Sequence, residues 1–271
     1  MNLHDLMDAA GKPKRPAMTV FERDAECTKH GAIVERGISL FGGEDRVIWH
    51  GCGKCNAELR DRDEATERAA EEKRRQARIE QRIQAAGIPS AFRDRTLDNF
   101  ETATPEQEHA LNVAREFVAN FYRDHLPNGT VLVFGGNPGT GKSHLALAIL
   151  QQVMKRHTGM YLDAMSLIRR VRATWRRDSP DTEDDVITTL GEQLDLLAID
   201  EIGVQRGTED EQAIMFDVLN RRYRENRPTI LLTNLDGPTL KEFMGPRIMD
   251  RLRERADFVP FKWESYRKQP R

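Results

Sequence analysis

The chain has 271 residues and a formal net charge of -2, with 38% hydrophobic and 32% charged residues. That length fits one sizeable domain plus a smaller module, and the charge excludes a general attraction to nucleic acid, leaving only local basic patches. No apolar run approaches the roughly 20 residues of a membrane-spanning helix, and residues 1–6 lack the apolar core of a signal peptide. Three cysteines are an odd number, so a secreted disulfide framework is excluded and metal ligation becomes the question for the thiols. The expectation is a cytoplasmic protein.

Residues 1–20 read as a weak apolar-periodic helix (Leu3, Leu6, Met7, Ala10) followed by the flexible basic linker Lys12-Pro13-Lys14-Arg15-Pro16. Residues 21–56 contain every cysteine, several glycines and short strand-like runs such as Val47-Ile48-Trp49. Here Cys27-Thr28-Lys29-His30 gives C-x2-H and Cys52-Gly53-Lys54-Cys55 gives C-x2-C, two pairs that can each clasp two corners of one tetrahedral zinc ion. His50 is an alternative fourth ligand with poorer spacing. So short a module has little core, and bound zinc would supply its folding free energy. Residues 57–87 form a charged helical linker, dense in Arg, Glu and Ala, with many possible i,i+4 pairs. Gly87-Ile88-Pro89 ends it, since Gly suits a helix C-terminus and Pro cannot continue a helix.

Residues 88–271 alternate strands and helices, which indicates an α/β fold with a parallel sheet. The strands are placed at 130–134, 159–163, 194–199, 229–233 and 257–262. The helices are placed at 106–124, 142–157, 164–177, 209–226 and 239–254, with Thr208 and Glu211 as a capping box for the fourth.

The first strand runs into Gly136-Asn137-Pro138-Gly139-Thr140-Gly141-Lys142-Ser143, a full G-x-x-x-x-G-K-[ST] match between an apolar strand and an apolar-periodic helix. Its glycines let successive N–H groups face phosphates and the helix start adds a positive dipole end. These eight residues and the following His144 are the expected binding positions for ATP or ADP. Lys142 contacts the β- and γ-phosphates and Ser143 ligates Mg2+. Asp200 and Glu201 end the apolar run Leu196-Leu197-Ala198-Ile199, on a strand expected beside that of the loop, where ligands of open α/β sheets bind. Asp200 would hold Mg2+ and Glu201 would activate the attacking water. Asn234 ends Thr229-Ile230-Leu231-Leu232-Thr233 and could reach the γ-phosphate or that water.

Two basic clusters remain. Arg247, Arg251 and Arg255 share one helix face at i,i+4 spacing, with Ile248 and Leu252 on another. Arg169, Arg170, Arg172, Trp175 and Arg176 combine cations for phosphates with an indole for base stacking, a candidate contact for single-stranded DNA. The bland alternative buries Leu167, Val171 and Trp175 as one apolar row against the sheet. The run Arg221-Arg222-Tyr223-Arg224 reads as a solvated helix end.

The segments GNPGTGKSHLA, LLAIDEIGVQ, LLTNL, GPRIMDRLRER and FKWESYR, with the lead-in GIPSAFRDRTLDNF, together resemble the bacterial replicative helicase loaders of the DnaC type, their phage relatives and the IstB transposition helpers. The similarity covers about 88–271. It implies an AAA+ fold with a five-stranded parallel sheet, helices on both faces and, because the chain ends soon after Arg267, no helical lid. It also implies slow ATP hydrolysis stimulated by DNA or a partner, with Asn234 as sensor I, Arg267 as sensor II and Arg247 as an arginine finger serving a neighbouring subunit. The implied partners are a hexameric replicative helicase, whose ring is opened, and single-stranded DNA; the implied working state is a helical or hexameric oligomer. The cysteine-bearing module departs from the better-known bacterial loaders and is similar to phage-type ones. Docking to the helicase and binding DNA both remain open for it. The rival readings are an ATP-switched transposition helper and a zinc-dependent nucleic-acid-binding protein with a structural nucleotide site.

Overall fold

A computed structural model describes residues 19–39, 46–204 and 207–266. The expected helix within 1–20 and Arg267 lie outside the described residues. The chain divides into two units, residues 1–75 and 76–271.

In the first unit, β1 (Thr19–Cys27) and β2 (Gly31–Ser39) form a long antiparallel hairpin, and β3 (Ile48–Trp49) adds to β2. The hairpin is longer than the strand-like runs of the sequence suggest. One reason is a buried carboxylate. Glu35 accepts from the Gly51 N–H at 2.8 Å and pairs with Arg23 at 2.6 Å, while the Arg23 guanidinium lies over the Trp49 ring. Such pairing offsets the cost of burying the charge. α1 (Gly53–Ala85) buries no residue and carries surface pairs such as Glu64–Arg68. It starts four residues earlier than the sequence suggests, so Cys55 lies in its first turn.

In the second unit, five parallel strands stand in the order β5 (Gly159–Asp163), β6 (Leu196–Ile202), β7 (Thr229–Thr233), β4 (Val131–Gly136), β8 (Ala256–Phe261). The period-2 geometry of strands sends alternate residues to opposite faces. Leu132, Phe134, Leu196, Ala198, Ile230 and Leu232 pack with α2 (Pro105–Ala119) and α3 (Lys142–Val153). Val133, Leu197, Ile199 and Leu231 pack with α4 (Ala164–Ala173), α5 (Glu183–Thr188), α6 (Glu209–Arg224) and α7 (Gly237–Arg255). The five-stranded sheet with helices on both faces is as expected.

Several details differ. β7 lies between β4 and β6, so Asp200 and Glu201 are on a strand one removed from that of the loop, not beside it. α4 stops at Ala173 instead of 177, and Trp175 therefore leaves the buried row of Leu167, Ile168 and Val171 and is 53% exposed. The first helix ends at Ala119 in a π-helical turn, Phe121–His125. α5 was not expected at all; six residues are too few for a periodic signal, and only its Thr182–Asp185 capping box marks it. α7 kinks at Gly245, φ 76, before Pro246. The Thr208 hydroxyl accepts from Glu211 N as expected, but Glu211 reaches back to Gly207 N rather than to the cap residue.

The Arg221–Arg224 run is also not a solvated end. Arg222 is 1% exposed and donates to Leu190 O, Leu194 O, Pro228 O and Thr229 Oγ1, tying α6 to the base of the sheet. Burial pulls its pKa down, to about 9, which still leaves it charged at neutral pH. Arg222→Ala strands several buried carbonyls. A loss of about 3 kcal/mol is expected, read as a lowered urea midpoint.

Candidate nucleotide site and Cys3His cluster

β4 delivers the chain into the loop at Gly136 and α3 begins at Lys142. Gly136 has φ 135, and a Cβ there would stand 2.3 Å from Phe261 O, so this turn closes only without a side chain. Gly136→Ala should cost more than about 1 kcal/mol and weaken nucleotide binding, checked by thermal denaturation and a fluorescent-ATP titration. The loop borders an open cleft of about 1030 Å³. Pro138, Gly139, Gly141, Lys142, Ser143 and His144 line it from the loop; Asp200, Glu201 and Asn234 line it from the ends of β6 and β7. Residues about 60–90 positions apart in sequence thus share one cleft, at the carboxyl ends of parallel strands where such sheets bind ligands.

The polar geometry is specific. Lys142 Nζ donates to Gly136 O at 2.8 Å and to Asn137 O at 2.6 Å, arching over the loop. Ser143 Oγ donates to Asp200 Oδ2 at 2.7 Å. Asp200 is 9% exposed and its Oδ1 accepts from Glu201 N at 2.6 Å. Glu201 is a non-glycine residue in the left-handed region, φ 57, and the β6–β7 register breaks between Ile199 and Ile202. Backbone strain and a register shift at the end of a central strand aim the Glu201 carboxylate into the cleft rather than along the sheet. Thr140 is buried and turns its hydroxyl to Asn137 O, so only its backbone is offered to a ligand. His144 Nε2 pairs with Thr96 O at 2.8 Å and Asn99 Oδ1 at 3.0 Å, which anchors the lead-in segment against the loop.

Sequence reasoning missed several residues. Tyr161, on β5, donates its hydroxyl to Asp200 Oδ2 at 2.7 Å; burial and then the Asp200 charge push its phenol far up, so it remains a donor. After β8 the chain crosses the loop. Asn137 N donates to Phe261 O, Trp263 Nε1 to Thr140 O and Tyr266 N to Gly139 O, while Tyr266 Oη donates to Glu101 O. The segment after β8 thus holds the loop from outside, through the Gly139 and Thr140 carbonyls and the Asn137 N–H. Phe92, Arg95, Phe100 and Tyr266 also line the cleft. None of these carries a local motif.

Arg247 is exposed on α7 and does not line the cleft of its own chain. The other two arginines of its expected face are engaged. Arg251 lies over Phe216, and Arg255 over Tyr223 with its Nη1 on Tyr223 O and Asn226 Oδ1. Arg169 and Arg170 on α4 and Arg176 in the turn after it are exposed, whereas Arg172 is half-buried and paired with Glu211 at 3.5 Å. The Trp175 ring faces solvent and its Nε1 donates to Glu183 Oε2 at 2.6 Å.

In the first unit, Cys27, His30, Cys52 and Cys55 converge, their ligand atoms all within 4.8 Å of one another. His30 Nδ1 lies 3.3–3.7 Å from the three sulfurs, and Cys27 and Cys55 Sγ are 3.5 Å apart. His50 is not part of the group. The backbone N–H groups of Lys29 and His30 favour the Cys27 thiolate, pulling its pKa to about 6, whereas the hydrogen bond to Cys27 raises Cys55 to about 11. Behind the cluster, Glu58 pairs with His30 Nε2 at 3.2 Å and with Lys29. Glu58 also escaped sequence reasoning; its place one helical turn after Cys55 was the available signal.

The sequence pattern of the family described as IstB-like ATP binding protein matches residues 62–271. The chain belongs to this family. Among curated relatives, the replicative helicase loader DnaC of Escherichia coli (strain K12) is 32% identical over 202 residues, 73% of this chain and 80% of the relative. The uncharacterized protein YdaV of the same strain is 34% identical over 196 residues, 71% of this chain and 76% of its own. Two solved structures share the fold. A DnaC helicase loader superposes with TM-score 0.57 at 24% identity, covering 64% of this chain and 100% of that one. DnaI superposes with TM-score 0.56 at 20% identity, covering 68% and 98%. The family fold is the AAA+ P-loop architecture, with ATP as the family ligand.

Proposed function

We propose that this protein is an ATP-dependent loader that binds a hexameric replicative helicase, opens its ring and delivers it to single-stranded DNA at the start of replication, working in the cytoplasm as a helical or hexameric assembly. The observation that carries this reading is the pairing of a cleft lined by Lys142, Ser143, Asp200, Glu201 and Asn234 with 32% identity to a replicative helicase loader over 80% of that protein.

The chemistry follows from the cleft. Lys142 and the loop N–H groups hold the β- and γ-phosphates. Ser143 Oγ and Asp200 Oδ2, 2.7 Å apart, form an all-oxygen pair suited to a hard cation, and they would hold Mg2+, which neutralises phosphate charge when bound. Glu201 orients and deprotonates the attacking water, and Asn234 fixes that water or the γ-phosphate. Arg247, exposed and outside the lining of its own cleft, serves the cleft of a neighbouring subunit, and Arg267 acts as the sensor II arginine. Turnover is then slow in an isolated chain and rises on assembly with DNA or partner.

The Cys3His group fits zinc. The His30–sulfur separations of 3.3–3.7 Å and the Cys27–Cys55 separation of 3.5 Å match the edges, about 3.3–3.8 Å, of a tetrahedron with 2.0–2.3 Å bonds, and three sulfurs with one imidazole are a soft donor set. Cys27, His30, Cys52 and Cys55 hold the ion, which supplies the cross-link a small hairpin lacks, and Glu58 orients His30. This module, residues 21–56, docks the helicase; its β-sheet exposes Val34 and Ile48, with the exposed Val20 just before it on β1. Arg169, Arg170, Arg176 and the exposed Trp175 meet single-stranded DNA through phosphate contact and base stacking.

Retention of the cognate hexameric helicase on the immobilised full-length protein tests the reading. Binding is expected with ATP and is expected to fail for a chain lacking residues 1–56. A full-length chain that captures no helicase, with or without nucleotide, rules the loader out.

A further inference from the structure

β5 is an edge strand of the parallel sheet. One residue on it, Tyr161, makes two contacts of different kinds. On the open side of the strand its N–H donates to Ala86 O at 2.7 Å, immediately after the last residue of α1. Its side chain donates to Asp200 Oδ2 at 2.7 Å. The junction after α1 is tightly set. Ala86 and Ile88 are 1% and 4% exposed, and Gly87 between them has φ 73, with a built Cβ only 2.6 Å from Tyr161 O. The end of the linker helix is therefore fixed to the same residue whose hydroxyl fixes the carboxylate at the centre of the cleft.

We propose that Tyr161 is a positioning residue that presets the Asp200 carboxylate for its metal ion and makes that setting depend on the seat of the linker helix end. The inference rests on the reading of Asp200 as a Mg2+ ligand. Ser143 and Tyr161 donate to the same oxygen of Asp200. Once Ser143 turns its oxygen to the cation, Tyr161 keeps its hold and prevents Asp200 from rotating out of line. Outer-shell donors of this kind typically change metal affinity 10- to 100-fold. Because the Tyr161 backbone is stitched to Ala86, a displaced linker moves the phenol and with it the carboxylate. A load on the linker thereby becomes a change in metal affinity, a route by which a bound partner tunes ATP turnover.

The test uses the full-length protein and Mn2+ as the metal probe, followed by electron paramagnetic resonance in the presence of ADP. Fluorescent ADP binding in EDTA is measured beside it. Thiolates and imidazole bind Mn2+ weakly, so the Cys3His group contributes little signal. Tyr161→Phe, which removes one oxygen, is expected to weaken Mn2+ about 10-fold and to leave ADP binding in EDTA unchanged. Gly87→Ala, outside the cleft lining, is expected to weaken Mn2+ in the same direction. Asp200→Asn is the control for the parent reading. If Asp200→Asn leaves Mn2+ binding intact, Asp200 is no ligand and both ideas fall. If Asp200→Asn weakens it and Tyr161→Phe does not, the positioning role alone is wrong. Equal losses of Mn2+ and of metal-free ADP binding in Tyr161→Phe would likewise overturn it, since the residue would then merely support the loop. A normal Mn2+ affinity in a folded Gly87→Ala protein would remove the link to the helix end.

Discussion

Glu201→Gln is expected to lower ATP turnover by about 10²- to 10³-fold while ATP still binds. The substitution keeps the shape of the side chain and the backbone at φ 57, with the amide still bonded to Asp200 Oδ1. What it removes is the ability to accept a proton from water. Lys142, Ser143 and the loop N–H groups are untouched, so nucleotide affinity should change little. Lys142→Ala should do the opposite, abolishing binding and turnover together. Phosphate release under steady state, with fluorescent-ATP titration beside it, separates the two. Full turnover by Glu201→Gln would remove Glu201 from the chemistry, and full turnover by Lys142→Ala would end the enzymatic reading.

Removal of zinc is expected to have the largest effect on stability. Structural zinc sites of this ligand set contribute on the order of 10 kcal/mol of apparent binding free energy at neutral pH, and a short hairpin has little else to replace it. The described hairpin residues are largely exposed, with Glu35, Gly37 and Ser39 buried on β2. Chelation, or Cys55→Ser, should therefore unfold residues 19–56, seen as rapid proteolysis within the hairpin while residues 105–261 resist. One zinc per chain should be released. Glu58→Ala should weaken zinc by about 10- to 100-fold through His30 without unfolding the module at saturating metal. A hairpin equally resistant to protease before and after complete chelation would show that the cluster is not its structural cross-link.

Both effects concern features legible in the sequence, and for the same reason. The phosphate loop is eight consecutive residues between a strand and a helix, and its geometry is set by local backbone freedom. The residues of the Cys3His cluster come as two pairs at i,i+3 spacing. The apolar strands announce themselves through continuous runs such as Leu196–Ile199, and Asp200 and Glu201 are conspicuous because carboxylates end so apolar a strand.

What the sequence alone determined, then, was the five strands and main helices of the parallel sheet and the candidate groups for phosphate, metal and water. Tertiary structure decided which of them meet. Strand order placed β7 between β4 and β6, because order is set by how helices pack on both faces and not by any strand's own composition. The Tyr161–Asp200 bond, the Trp263 and Tyr266 contacts to the loop, Glu58 behind His30 and the burial of Arg222 all join residues from different elements. Each depends on the register and packing of elements that are distant along the chain, and no periodicity or spacing within one segment encodes that. Trp175 is the converse case. Helical spacing put it on a buried row, but α4 ends two residues before it, and the chain's turn at Ala173 left the ring in solvent.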